Sequence, residues 1–164
     1  MPIKKYILLV LLMLAQWGFS QIPELSAQSR ISVLTCGAGQ DLYSTFGHSA
    51  FRVQDPVLGI DVVYNYGTFN FNPPIFYVDF ARGKLLYSLS RAHFDDFLFE
   101  YEMQNRWVKE QILDLTPKEI NDLFQYLETN YLPENRDYTY DFLFENCATK
   151  IPWILKCVFG EQLL

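Results

Sequence analysis

The segment DFLFENCATK, residues 141–150, sets Cys147 directly behind Asn146, a residue type that caps helices. A thiol at a helix start meets unsatisfied backbone N–H groups and the positive end of the helix dipole, both of which favour its thiolate. Pro152 stands against one unbroken helix from Cys147, because an interior proline removes a hydrogen bond and crowds the preceding turn. Thiol chemistry also needs a base, and the chain has only two histidines, His48 and His93. His48, in FGHSAFRV, opens a strongly strand-like run and can project from a sheet edge into a cleft, whereas His93 sits beside Phe94 and Asp95 as a surface or capping residue. A Cys147 nucleophile with a His48 base is the most economical active site. Cys147 can also be read as a buried apolar cysteine, or as half of a disulfide with Cys36 or Cys157, since three cysteines are an odd count for an oxidising compartment.

A third group would hold the imidazole. If residues 55–59 form a five-residue hairpin loop, Gln54 pairs with Ile60 and Tyr66 falls opposite His48; a slip of one residue brings Asn65 there instead. Either can hydrogen-bond one ring nitrogen and leave the other for the thiol. A serine triad using Ser44 or Ser49 lacks the Gly-x-Ser-x-Gly elbow, and there is no Cys-x-x-Cys, His-x-x-x-His or phosphate loop, so neither metal nor cofactor is expected.

The elements that must position these groups follow from periodicity. Residues 31–35 read as a strand, and residues 48–54 and 60–66, rich in β-branched and aromatic side chains around DPVLG, read as a β-hairpin. Residues 75–84 suggest a short helix and 85–90 a strand. Phe94, Phe97, Leu98 and Tyr101 recur at helical spacing, with Asp95, Asp96 and Glu100 on the other side, which predicts a helix over residues 94–104. Residues 106–115 read as strand, and TPKE at 116–119 marks a helix start with Ile120, Leu123, Phe124, Leu127 and Tyr131 as its buried stripe. Residues 132–140 are turn-rich. Mixed strands and helices around an antiparallel hairpin predict an α+β fold.

Compartment and charge narrow the possible partners. Lys4 and Lys5, the apolar run of residues 7–14 and Gly18-Phe19-Ser20 have the layout of a cleavable export signal over residues 1–20. Residues 21–30 are a polar leader without evident structure, and 31–164 form a single domain, exported to the periplasm. Both basic residues of the signal leave with it, so the net charge of −6 becomes about −8, a balance that excludes nucleic acid and general electrostatic attachment to anionic lipid.

Three blocks, LTCGAGQDLYSTFGHSAFRVQDPVLGIDVVYNYGTF, DFARGKLLYSLSRAHFDDFLFEYE and LPENRDYTYDFLFENCAT, together resemble the Lnb N-terminal periplasmic domain. The resemblance runs through residues 31–149. It implies a permuted papain-like fold, similar to NlpC/P60 proteins, with a small antiparallel sheet packed by helices. It also implies His48 as base, Cys147 as nucleophile and Tyr66 or Asn65 as the third member. The implied activity moves an acyl chain from a phospholipid donor, through a Cys147 thioester, to the N-terminal amine of a lipoprotein acceptor near the membrane. Arg52, Arg82 and Lys84 are candidates to contact the phosphate. A cysteine hydrolase of the same architecture and a non-catalytic binding domain are the competing expectations. Family proteins continue into a membrane-embedded C-terminal half, so a sequence ending at Leu164 is expected to be a truncated product, a fragment or a stand-alone copy.

Overall fold

A computed structural model describes residues 22–41, 44–69, 86–139 and 146–160. The predicted hairpin forms from β2 (His48–Asp55) and β3 (Ile60–Phe69). Asp55 pairs with Ile60, so the loop has four residues and the expected Gln54–Ile60 register is shifted by one. The cause is the buried Asp55 carboxylate, which accepts the backbone N–H of Val57 at 2.9 Å and of Leu58 at 3.2 Å and so starts the turn itself.

Around this hairpin β1 (Arg30–Cys36) lies antiparallel to β2, and β4 (Leu86–His93) lies antiparallel to β3. With β5 (Val108–Ile112) and β6 (Asp137–Thr139) the order is β5-β1-β2-β3-β4-β6, antiparallel throughout. The strand expected over 106–115 is shorter because Arg106 and Trp107 are taken by Gly37: the Arg106 Nε donates to its carbonyl at 2.7 Å, and its N–H donates to the Trp107 carbonyl at 2.8 Å. β4 is longer than expected and runs straight into α1 (Phe94–Met103), while β6 emerges from the turn-rich stretch. The predicted helix over 75–84 lies outside the described residues.

Alternation along β2 sorts the two faces of the sheet. Phe51 and Val53 enter a core with Ile31, Tyr64, Tyr66, Leu89 and the buried stripes of α2 (Pro117–Tyr131) and α3 (Cys147–Phe159). Ala50 enters a second core with Leu34, Cys36, Val63, Phe97 and Tyr101, under α1. The fold is α+β, one antiparallel sheet between α1 and the α2/α3 pair. No helix among the described residues is long and apolar enough to cross a membrane.

Two expectations give way. The leader is ordered where described: Leu25 is buried and its N–H reaches Asn121 Oδ1 at 2.7 Å, while the Ser26 N–H and hydroxyl reach Asp55 at 2.6 and 2.8 Å. A polar composition hid a segment that is anchored by its few apolar groups and by a buried carboxylate.

Pro152, too, fails to split α3, which runs through it. The start of this helix is secured twice over. Asn146 Oδ1 accepts from the Ala148 and Thr149 N–H groups at 2.9 Å each, and Thr149 Oγ1 accepts from the Asn146 N–H at 2.9 Å. Burial of Ile151 and Ile154 on either side of the proline adds a stabilisation that offsets the roughly 3 kcal/mol proline cost. Replacing Asn146 by Ala should therefore lower stability by about 1 kcal/mol in urea unfolding, and Asn146→Asp should restore most of it.

Candidate functional site

His48 is the first residue of β2 and projects to the α1 face, like Ala50 and Arg52 two and four residues on. Its Nε2 is hydrogen-bonded to Asn65 Oδ1. In the observed register Asn65 continues the alternation of Val63 on that same face, so it reaches His48 diagonally across the hairpin. Tyr66 points the other way, into the α2/α3 core, where its hydroxyl has no partner among the described residues. The shifted register thus overturns the expected placing of Tyr66 opposite His48 and brings Asn65 to the ring. A carbonyl oxygen only accepts, so Nε2 carries the ring proton and Nδ1 keeps its lone pair.

Cys147 arrives from the opposite layer, as the first residue of α3. The meeting point is Gly67, in the irregularity between Asn65 and Thr68 where β3 shifts against β4. A Cβ placed on Gly67 would lie 3.9 Å from Cys147 Cβ and 4.0 Å from His48 Cε1, so thiol and imidazole flank a position that has no side chain. Its φ of +97° is one that L-residues rarely adopt. The backbone N–H of Ser49, next to His48, also donates toward the Cys147 sulfur, as do those of Ala148 and Cys147 itself.

Burial neutralises both groups. It pushes the Cys147 thiol up, against those three N–H groups, and it lowers His48 to about 4, helped by the Arg106 charge and opposed by Asn65. The pair at neutral pH is thiol and free imidazole. All three cysteines are free; Cys36, paired opposite His48 on β1, is buried against Tyr101 and raised to about 11, and Cys157 is exposed. His93 is exposed at the start of α1 and its side chain caps nothing.

On the α1 side a cavity of about 320 Å³ opens against His48, Asn65 and Gly67 and is lined also by Thr68, Ser90, Asp96 and Glu100. Arg52 is not available to a phosphate: it is buried, holds Asp61 with Nε and Nη2 at 2.7 Å each, reaches both Glu110 oxygens at 3.1 Å and stacks on Phe94 at 3.4 Å. Arg82 and Lys84 lie outside the described residues. Neither the role of Gly67 nor the Ser49 N–H was read from the sequence, although a lone glycine in the strand-like VVYNYGTF signals a bulge or a close approach. Among the described residues no cluster suits a metal ion.

A family model described as the Lnb N-terminal periplasmic domain matches residues 21–163. The chain belongs to this family. The match takes in His48, Asn65, Gly67 and Cys147, and an Lnb N-terminal domain is a periplasmic one. No curated protein and no solved structure matches the chain.

Two outcomes follow from this Lnb-type site. In a Cys36→Ala, Cys157→Ala background, alkylation of Cys147 should still be rising with pH beyond the ordinary thiol value of 9.0, with no plateau near neutrality of the kind a thiolate–imidazolium pair gives. His48 binds fewer protons folded than unfolded, so its contribution to stability is full above its ordinary 6.5 and is lost as the pH falls toward about 4. Urea midpoints of His48→Gln should accordingly depend less on pH across that window than those of the unaltered chain.

Proposed function

We propose that this domain is a thiol acyltransferase of the lipid-to-lipoprotein type, with Cys147 as nucleophile, His48 as base and Asn65 as the residue that holds the imidazole. The observation that carries the proposal is the convergence of Cys147 and His48 on Gly67, with Nε2 tied to Asn65 and Nδ1 left to accept a proton. The resemblance of the three sequence blocks to a lipoprotein N-acyltransferase domain supplies the substrates, a phospholipid donor and the α-amine of a lipoprotein.

Activation starts from a neutral pair. His48 takes the Cys147 proton as the sulfur attacks the ester carbonyl of the donor; the carbon–oxygen bond breaks, and the lysolipid alcohol leaves with that proton. The acyl group then rests on Cys147 as a thioester. An attacking amine forms the carbon–nitrogen bond while the carbon–sulfur bond breaks, and its proton returns to sulfur through His48. The N–H groups of Ser49 and Cys147, already directed at the sulfur, are suited to stabilise the oxyanion formed in each half.

Incubation with phosphatidylethanolamine vesicles carrying a labelled acyl chain should give a hydroxylamine-sensitive mass increment on Cys147, absent in Cys147→Ala. His48→Gln should slow its formation by about 10²- to 10⁴-fold, and Tyr66→Phe should leave it intact. Thiol-dependent cleavage of a peptide with no acyl adduct would place the domain among cysteine hydrolases. Neither adduct nor cleavage would leave a non-catalytic binding domain.

A further inference from the structure

A cavity on the α1 side of the sheet reaches the point where His48 and Cys147 meet. Cys147 heads a helix on the α2/α3 layer, and the cavity is lined by His48 and by Gly67, on which a Cβ would lie 3.9 Å from Cys147 Cβ. Its walls mix apolar surface from Ala92, Phe97 and Tyr101 with polar groups, Asn65, Thr68 and Ser90 on the strands and Asp96 and Glu100, one turn apart on α1. A hydrocarbon chain laid there would strip water from these groups and give nothing back.

The charges in the cavity have a direction. Asp96 and Glu100 form no ion pair with any described cation; among the described residues the Glu100 carboxylate accepts a 3.4 Å hydrogen bond from the Gln104 side chain. Arg106, also in the wall, is committed elsewhere, to the Gly37 carbonyl at 2.7 Å, to Gln104 Oε1 at 2.8 Å and to the Tyr101 ring at 4.5 Å. An anionic headgroup would meet two carboxylates and a tethered guanidinium. A cation would meet two carboxylates beside the base.

We infer that this cavity is the acceptor subsite, which takes the amine-bearing end of a peptide or lipopeptide and presents it to the Cys147 thioester at Gly67. The inference rests on the acyltransfer reading and places the attacking amine beside the imidazole. The carboxylates draw in the ammonium, which gives one proton to solvent on becoming the free amine. Its nitrogen attacks the thioester, the carbon–sulfur bond breaks, and the second proton passes through His48 to the Cys147 sulfur.

Binding can be measured where no acyl chemistry is possible, on the full chain carrying Cys147→Ala. The probes are a synthetic peptide beginning with S-alkylated cysteine and a free α-amine, and the same peptide N-acetylated, titrated by calorimetry. The free-amine peptide should bind at least tenfold tighter than the acetylated one. Asp96→Asn with Glu100→Gln should abolish that difference, and Asp114→Asn with Asp122→Asn, which removes two charges away from the cavity, should preserve it. Equal binding of the two peptides, or a difference that survives in the Asp96/Glu100 double variant, overturns the inference. Its failure is distinct from failure of the acyltransfer reading, which is decided by the thioester on Cys147: an amine preference without any thioester leaves the subsite and removes the transferase.

Discussion

The buried carboxylate of Asp55 sets the geometry of everything beside it. It accepts four hydrogen bonds, from Ser26 N–H and hydroxyl and from the N–H groups of Val57 and Leu58, at 2.6 to 3.2 Å. Burial alone would raise its pKa; these donors outweigh burial and hold it below the ordinary carboxylate value. By ending β2 at Asp55 the carboxylate fixes the register of β2 on β3, and with it the face on which every residue of the hairpin stands. His48 lies seven residues away, roughly 23 Å along the strand, yet its meeting with Asn65 depends on that count. Arg52 is subject to the same rule: in this register Asp61 stands beside the buried guanidinium and joins Glu110 as its partner.

The electrostatics of the site show burial outweighing local polarity. A helix N-terminus and three N–H groups favour a thiolate at Cys147, and desolvation still prevails. The same desolvation acts on His48 with the opposite sign of charge, so both members rest uncharged. Such a site stores no ion pair, and any charge that forms at the sulfur does so where the N–H groups about it are already oriented.

Much of this was legible in the sequence, and the limits were physical. Helical spacing located α1 and α2, the TPKE box placed the start of α2, and Asn146 announced α3. The choice between Tyr66 and Asn65 was not legible, because it turned on whether Asp55 belonged to strand or loop, a matter of side-chain hydrogen bonds invisible to a hydrophobicity pattern. Pro152 misled because local propensity was weighed without the two buried isoleucines that hold the helix across it. The leader misled for a similar reason, since Leu25 is one apolar side chain in a polar run and still enters the core. Asp96 and Glu100 read as an ordinary solvated face, and only the tertiary placement of α1 over His48 turned them toward a cavity.

The anchoring of α3 bears on how the thiol–imidazole pair is held. Among the described residues the helix buries Ile151 and Ile154, packs Leu155, Val158 and Phe159 against the same core, and leaves Trp153 half in solvent. His48 and Asn65, by contrast, belong to strands at the centre of a six-stranded ladder. Because the sulfur belongs to this helix and the imidazole to the sheet, the two keep their geometry only while the helix stays docked. The thiol–imidazole pair therefore depends on the packing between two layers, and a change that shifts α3 would move the sulfur without moving the ring.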